Sequence, residues 1–438
     1  MSIMELPDCY YPIPPINITP CAPTPNHTLH LNNLDDEFYK KFIPYVYIFK
    51  KSVGIDTLKS SLSRVLVDYY PFAGRFRTST EDENKLVVDC NGEGALFVEA
   101  SMDITVEELL KSSMMPNSSW KKIIYNMESK NAVDTPLLII QVTNLRCGGM
   151  ILCASINHSL SDGTGASQFL NAWGQLTQKP DSNLTIIPSH DRQVLNIQES
   201  SQVNFTHPIY IKEPTHPNSE TNLTTWFLTQ SLVPTSFIFR FDEILRLKKQ
   251  CTTSSFNHIT SFEAITAHLW RSLVKATNLS LSRTVKLCFT VNFRKKMKLL
   301  PKGYYGNGFV LAGVESIVKD LVAANNLDHG VKLVQNAKAS VDEEYIKSTI
   351  DVVKDKKVIH DGSISLYVTQ WNRLGLEDVD FGEGKPLHLG PLSVQIYCVF
   401  LPVIGDPNAV RVLLSVPKNI VEKFQHYMIE IECWGKDE

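Results

Sequence analysis

Apolar residues follow two spacings along this chain, short continuous runs typical of strands and three-to-four-residue repeats typical of helices. Runs of mostly apolar, strand-forming residues fill 137–143 and 150–157, with the turn 146–149 between them. Helical spacing then begins at residue 164 and extends to 176. The stretch predicts two adjacent strands followed by a helix, with His158 at the point where the second strand ends.

The rest of the first half contains the same two kinds of pattern. Apolar positions between residues 53 and 69 fall at helical spacing and predict an amphipathic helix. Seven prolines among the first 26 residues favour an extended arm over a helix. Strands are predicted at residues 28–31, 45–49, 86–90 and 95–99, the last two as a pair around the turn 91–94.

The second half follows a stretch with little periodicity, residues 179–222, which is typical of a linker. Thr260 and Glu263 have the spacing of a capping box, which predicts a helix from there to about residue 275. Helical patterns also occupy residues 317–354, and a terminal helix is predicted at 417–427 with a proline in its first turn. Strands are predicted at residues 237–241, 284–292, 363–371, 387–389, 394–401 and 410–415.

Strands and helices are mixed in both halves, so the sequence predicts an α/β protein. A length of 438 residues is more than one hydrophobic core usually holds. We expect an N-terminal domain at 1–180, a crossover linker at 181–223 and a C-terminal domain at 224–438.

Composition narrows the class of protein. A hydrophobic content of 43% and a charged content of 20% are typical of globular proteins. A net charge of -3 gives no overall attraction to nucleic acid or to an anionic membrane. The nine cysteines are scattered and form no Cys-x-x-Cys pair, so neither a disulfide framework nor a zinc site is expected. Without a signal-peptide pattern or a long apolar segment, the protein is expected to be cytoplasmic with no membrane insertion.

The sequence pattern indicates a chemical role most clearly for His158. Imidazole titrates near neutral pH, so at the end of a strand it can accept a proton from a hydroxyl group. Asp162 follows four positions later, and two roles are open to it. It either orients His158, as in a catalytic triad, or holds the loop through an arginine. We favour the structural role, because a buried carboxylate needs a cationic partner.

A covalent intermediate is not indicated by the sequence. No Gly-x-Ser-x-Gly elbow occurs, so no serine is presented in the manner of α/β-hydrolases. The glycine-rich segments 303–308 and 381–385 lack the spacing of dinucleotide or phosphate loops, and we interpret them as turns. The chain is therefore expected to activate a bound substrate directly.

Two distant motifs together resemble those of the plant BAHD family of acyl-CoA-dependent acyltransferases, which carry an HxxxD motif. They are HSLSDG at residues 158–163 and DFGEG at 380–384, in which Asp380, Phe381, Gly382 and Gly384 form a structural motif. Further segments match family signatures in family order, namely YPFAGR at 70–75, SFEA at 261–264, VNFR at 291–294 and YYGN at 304–307. The match extends over essentially the whole chain.

The resemblance implies a fold and a mechanism. The fold is α/β, with two similar domains that are each a mixed β-sheet with flanking helices, as in chloramphenicol acetyltransferase, and an active-site channel at the domain interface. His158 would be the general base, which deprotonates the acceptor for direct attack on the thioester of acyl-CoA. Thr369 and Trp371 would stabilise the oxyanion, with core packing as the alternative for Trp371.

The resemblance also implies roles for other residues. Asp162 matches a structural aspartate, and Arg294 matches its salt-bridge partner from the second domain. Thr260 and Ser261 lie with Arg294 in the coenzyme A region, where a helix N-terminus suits anionic groups, although an ordinary N-cap explains these two residues as well. The family usually has tryptophan in place of Glu383, a change that bears on the packing of this loop and on coenzyme A affinity. Glutamate here is similar to the coniferyl-alcohol acyltransferase branch.

These features predict an acyl-CoA-dependent O-acyltransferase of plant specialised metabolism that acts as a monomer. It would transfer an acetyl, hydroxycinnamoyl or other aromatic acyl group to a small-molecule alcohol, for which Glu383 favours a phenylpropanoid alcohol. Acyl-CoA is the expected co-substrate, and no permanently bound cofactor, metal ion or nucleic-acid partner is expected. The alternatives are an amine N-acyltransferase and a non-catalytic relative that acts in lipid elongation.

Overall fold

The computed structural model describes residues 5–83, 85–112, 117–125, 133–196, 207–213, 222–251, 259–323, 327–395 and 397–429. The strands in these ranges are β1 (Ile16–Ile18), β2 (Thr28–His30), β3 (Phe42–Phe49), β4 (Arg75–Thr78), β5 (Leu86–Asp89), β6 (Ala95–Met102), β7 (Leu138–Leu145), β8 (Met150–Asn157), β9 (Tyr210–Lys212), β10 (Leu232–Phe239), β11 (Thr284–Asn292), β12 (Phe309–Ile317), β13 (Val358–His360), β14 (Ile364–Gln370), β15 (His388–Pro391), β16 (Tyr397–Val403) and β17 (Asp406–Pro417). The α-helices are α1 (Asn33–Asp36), α2 (Ile55–Asp68), α3 (Val106–Ser112), α4 (Gly163–Gln178), α5 (Leu223–Thr229), α6 (Phe241–Lys249), α7 (Ser261–Thr277), α8 (Val318–Val322), α9 (Leu327–Ser340), α10 (Glu343–Val352) and α11 (Val421–Ile429).

The chain forms two compact units, and neither is contiguous in sequence. The first unit comprises Met1–Gln198, Met297–Gly308 and Trp371–Ser393, and the second comprises Glu199–Lys296, Phe309–Gln370 and Val394–Glu438. The chain thus returns to the first unit twice from its second half. No change of periodicity marks these returns, so a contiguous division such as 1–180 and 224–438 does not represent them.

The first unit is built on a six-stranded mixed sheet with the strand order β1-β6-β7-β8-β3-β15. Only β6 and β7 run parallel; the other neighbours are antiparallel. All eight residues of β8 are buried, which agrees with their continuous apolar run, because a strand covered on both faces shows no alternation. Helices α2 and α4 pack together, and the Trp173 indole of α4 donates to Ser61 Oγ of α2 over 3.0 Å. A small sheet, β2-β5-β4, completes this unit.

The second unit repeats this plan with different strands. Its six-stranded sheet has the order β10-β17-β16-β14-β11-β12, in which β11, β14 and β16 run parallel. Helix α7 contacts α9 and α11, and its buried Trp270 donates to Ser365 Oγ over 3.0 Å. Each unit is therefore a mixed sheet with flanking helices, which confirms the predicted fold class.

Two local predictions are wrong. β5 and β6 are not a strand pair, because β5 pairs with β2 and β4 whereas β6 pairs with β1 and β7. The Cys90 N–H donates to the His27 carbonyl over 3.0 Å and the Gly94 N–H donates to the Ala73 carbonyl over 2.9 Å, so the segment between β5 and β6 bonds to other parts of the chain instead of closing a hairpin. Pro417 ends β17, and α11 begins only at Val421. A proline at a strand end facing β10, the edge strand, is compatible with the sheet.

Among the described residues, no helix is both long and apolar enough to span a bilayer.

Candidate active site

His158 lies immediately after β8 and five residues before α4 begins. Its backbone N–H donates to the Lys41 carbonyl over 2.8 Å, which fixes it to the segment that enters β3. Its ring stacks on Phe38 with centroids 4.2 Å apart and an interplanar angle of 14°. The strand therefore sets the position of the imidazole, and the aromatic stack sets the plane of its ring.

The environment of His158 favours the neutral imidazole. Burial lowers the pKa of His158 below its ordinary value of 6.5, and the positive charge of Lys41 adds to this effect. Hydrogen bonding and the negative charge of Asp162 oppose the change without reversing it. The imidazole is therefore neutral at pH 7, which is the form that accepts a proton.

Asp162 caps the helix that follows. Its Oδ1 accepts from the Gly165 N–H over 2.9 Å, and its Oδ2 accepts from the Gly308 N–H over 3.0 Å. The residue is 5% exposed. A Cβ at position 165 would lie 1.8 Å from the Tyr305 carbonyl oxygen, so glycine is required there. The carboxylate thus holds the start of α4 against residues 305–308, which supports a structural role.

A buried ion pair that the sequence did not predict lies behind the motif. Arg192 Nη1 is 3.5 Å from Asp35 Oδ1, and both side chains are fully buried. Asn307 Nδ2 donates to Asp35 Oδ1 and to the His158 carbonyl, over 2.8 Å in each case. Arg192 Nη2 donates to the Leu160 carbonyl over 2.6 Å. Arg192 and Asn307 therefore each donate to a backbone carbonyl of the HxxxD segment, and the Asp35 carboxylate contacts both of them.

The surroundings of this pair keep the arginine charged. Burial opposes the charge on Arg192, but Asp35 and the rings of Tyr304 and Tyr305 outweigh it and raise the arginine pKa. The guanidinium carbon lies 5.4 Å from the Tyr304 ring centroid and 4.8 Å from that of Tyr305. Burial raises the pKa of Asp35, and Arg192 opposes that rise. A Cβ at Gly306 would lie 1.6 Å from Arg192 Nη1, so a side chain here would displace the guanidinium group.

Trp371 directly follows β14 and is the first residue of the segment Trp371–Ser393 of the first unit. It is 8% exposed and stacks on Tyr45, with ring centroids 5.0 Å apart and an interplanar angle of 29°. This contact is the packing role given above as the alternative for Trp371. Its predicted role at the oxyanion stays a prediction.

The DFGEG segment forms a tight loop in the first unit. Asp380 Oδ1 accepts from the N–H groups of Gly382 and Gly384, over 2.7 and 3.1 Å. Phe381 is 2% exposed and packs edge-to-face on Trp173, with centroids 4.7 Å apart. Glu383 points outward, with its side chain 46% exposed. The loop is therefore anchored by its aspartate and its phenylalanine, and the position usually occupied by tryptophan takes no part in that packing.

This loop lies far along α4 from the histidine. Gln178 Nε2 donates to the Asp380 carbonyl over 2.7 Å, and a Cβ at Gly174 would meet that same oxygen at 2.5 Å. At a rise of 1.5 Å per residue, Gly174 is about 17 Å along the helix axis from Gly163. The motif thus supports the C-terminal half of α4.

The remaining predicted residues lie in the second unit. Thr369 is partly buried near the end of β14. Thr260 is the N-cap of α7, its Oγ1 accepting from the Glu263 N–H over 3.3 Å, and Ser261 is the first residue of that helix. Arg294 lies in the turn after β11. The roles of these residues toward the oxyanion, coenzyme A and Asp162 stay predictions.

A metal centre is not indicated in the part of the chain that the structure describes. No group of three or more His, Cys, Asp or Glu side chains there is arranged to hold an ion.

Comparison with known proteins places the chain in a family. The model of the Transferase family matches residues 16–431. The chain is 32% identical to omega-hydroxypalmitate O-feruloyl transferase of Arabidopsis thaliana, covering 95% of this chain and 92% of that protein. It is 33% identical to benzyl alcohol O-benzoyltransferase of Petunia hybrida, covering 93% and 90% of the two chains.

Solved structures share the fold at lower sequence identity. Vinorine synthase superposes with a TM-score of 0.72 at 19% identity, over 95% of this chain and 96% of that one. TRI101 of F. graminearum, in complex with ethyl coenzyme A, gives a TM-score of 0.76 at 15% identity, over 92% and 97%. The chain therefore belongs to the Transferase family, among the BAHD acyltransferases, and is an enzyme of the acyl-transferring kind.

Proposed function

We propose that this enzyme transfers an acyl group from acyl-CoA to the hydroxyl group of a small-molecule alcohol, with His158 as the general base. The observation that carries the proposal is the position of the His158 imidazole at the end of β8, where its backbone and its ring plane are both fixed and burial lowers its pKa. A base in this state accepts a proton at pH 7 without first having to lose one.

The reaction follows from the chemistry of a neutral base and a thioester. A ring nitrogen of His158 takes the proton of the acceptor hydroxyl as its oxygen attacks the thioester carbonyl carbon. The new C–O bond gives a tetrahedral oxyanion, which collapses with cleavage of the C–S bond. The imidazolium returns its proton to the departing thiolate, so coenzyme A leaves as the thiol and the base is regenerated. No covalent acyl-enzyme forms.

We propose an aromatic acyl-CoA as the donor and an alcohol as the acceptor. The names of similar proteins support this class: they include feruloyl, caffeoyl and benzoyl transfer, with a hydroxy fatty acid, a fatty alcohol or benzyl alcohol as the acceptor. A phenylpropanoid alcohol belongs in the same test set, because Glu383 is similar to the coniferyl-alcohol branch.

A donor and acceptor screen tests the proposal. The purified protein is incubated with acetyl-CoA, benzoyl-CoA or feruloyl-CoA and with benzyl alcohol, a fatty alcohol, coniferyl alcohol or benzylamine. Free thiol release gives the rate, and mass spectrometry distinguishes an ester from an amide. We expect ester formation with at least one aromatic donor. If the folded protein released thiol with none of the alcohols, the proposed reaction would be refuted.

The role of His158 is tested separately. His158→Ala is expected to lower kcat by about 100-fold or more, the usual contribution of general base catalysis. The exposed His426 on α11 provides a control, and His426→Ala is expected to keep its turnover. Full turnover in His158→Ala would show that another group is the base.

A further inference from the structure

We infer that Arg192, together with Asp35 and Asn307, positions the general base by holding the backbone of residues 158–160. The inference rests on the proposed function of His158. Arg192 is a positioning residue in this account, because it acts on the imidazole through the chain that carries it.

Three consecutive residues of the motif are each held by a different member of the buried network. The His158 carbonyl accepts from Asn307 Nδ2 over 2.8 Å. Ser159 Oγ donates to the Asp35 carbonyl over 2.8 Å, and the Leu160 carbonyl accepts from Arg192 Nη2 over 2.6 Å. The contacts therefore fall on successive positions of the segment that carries the base.

The segment needs these contacts because it belongs to no regular element. β8 ends at Asn157 and α4 begins at Gly163, so the carbonyls of residues 158 and 160 lie outside both the strand ladder and the helix. A buried backbone carbonyl without a partner is costly, and side chains are the usual substitute where secondary structure stops. The network thus anchors residues 158–160, and Asp162 anchors the start of α4.

A gain in stability alone does not explain why the ion pair between Arg192 and Asp35 is buried here. A buried ion pair pays a desolvation cost that often cancels its attraction, and apolar replacements can be equally stable. The two charges are fully buried, and their contacts converge on the motif together with the amide of Asn307. These contacts therefore support a positioning function: they fix the chain at residues 158–160 and, through it, the imidazole of His158.

The test separates stability from positioning with a double variant. Arg192→Leu leaves the Asp35 charge buried without its ion pair and is expected to lower the Tm strongly. Adding Asp35→Asn removes that charge in an isosteric way and is expected to restore most of the Tm. The contact to the Leu160 carbonyl stays absent, so kcat of the double variant is expected to remain about 100-fold below wild type, as for a reacting group displaced by about 1 Å. The KM for acyl-CoA is expected to stay within about twofold.

A matched control lies in the second unit. Lys286 Nζ contacts Asp361 Oδ2 over 2.6 Å, with side chains 13% and 17% exposed. Lys286→Met is expected to lower the Tm while kcat, measured well below that Tm, stays within about twofold of wild type. A loss of kcat equal to that of Arg192→Leu at matched Tm would show that turnover follows stability and would overturn the inference.

Two further arms make the result decisive. Recovery of kcat together with the Tm in the Arg192→Leu, Asp35→Asn variant would overturn the positioning role, while His158→Ala, assayed in parallel, reports on the proposed base itself. If the double variant does not fold, Asn307→Ala decides, because it deletes the amide that donates to the His158 carbonyl and removes no charge. A lower kcat at unchanged KM in Asn307→Ala supports the inference, and an unchanged kcat overturns it.

Discussion

Replacement of Asp162 by asparagine should affect folding at least as much as chemistry. Asparagine retains an oxygen that can cap α4 through Gly165, and it is as good an N-cap as aspartate. The second hydrogen bond is lost. In the wild type the Gly308 N–H donates to the carboxylate, whereas in the variant it would face the NH2 group of asparagine, which is also a donor. A buried donor left unsatisfied costs about 1–3 kcal/mol, so we expect Asp162→Asn to lose ~2 kcal/mol of stability.

The same arithmetic gives a graded series. Asp162→Ala also loses the cap, which adds ~1 kcal/mol and makes it the less stable of the two variants. At an unfolding entropy of about 2.1 cal/mol/K per residue, ~2 kcal/mol corresponds to a fall in Tm of about 2 °C for a chain of 438 residues. Asp342 is the control, because it caps α10 through a single bond to the Tyr345 N–H that asparagine can also accept. Asp342→Asn is expected to change stability by less than ~0.5 kcal/mol.

Thermal unfolding gives the stability of each variant, and kcat is measured at a temperature at which all are folded. A loss of kcat in Asp162→Asn should stay below about 30-fold, the equivalent of ~2 kcal/mol in the activation barrier. A variant with the Tm of the wild type and a loss of 1,000-fold in kcat would refute the reasoning. It would show that the carboxylate acts on the reacting groups and not on the loop.

Three further predictions concern the base, the start of α4 and the DFGEG loop. Because burial lowers the pKa of His158 below its ordinary value of 6.5, kcat/KM should fall on acidification with a midpoint below pH 6.5, and a midpoint above pH 7 would contradict the burial argument. Gly165→Ala should destabilise the protein by more than ~2 kcal/mol, since its Cβ would lie 1.8 Å from the Tyr305 carbonyl oxygen, and a wild-type Tm would show that this backbone can move aside. Glu383→Ala should change stability by less than ~1 kcal/mol, because its ion pair is solvent-exposed; a large fall in Tm would reveal a packing role for that side chain.

Local pattern was enough to predict the core of the candidate site. The buried run of β8 shows no alternation, and the spacing that follows is helical, so the ends of both elements could be predicted to within a few residues. The position of His158 at their junction followed directly. Asp162 as an N-cap also agrees with a structural role, although one partner of its carboxylate, the Gly308 N–H, lies 146 positions away.

The supporting network could not be predicted in this way. Asn307 follows Asp35 by 272 positions, and neither residue belongs to a pattern whose period identifies the other. Arg192 lies in the stretch 179–222, whose lack of periodicity is typical of a linker. Strand β15 shows the same limit, since its short apolar run was predicted but its pairing with β3 depends on the path of the chain. The spacing of apolar residues determines whether a segment is a strand or a helix, whereas the segment with which it pairs is determined by tertiary packing.

The interleaved first unit has a consequence for synthesis on the ribosome. Residues 1–198 emerge first, yet β3 remains an unpaired edge until β15 is translated, and the His158 carbonyl lacks Asn307 until residue 307 has emerged. An exposed edge strand of this kind is prone to pair with other chains. The nascent N-terminal half is therefore a natural client for chaperones, and a gene fragment that ends near residue 198 should give an aggregating product instead of an independent domain.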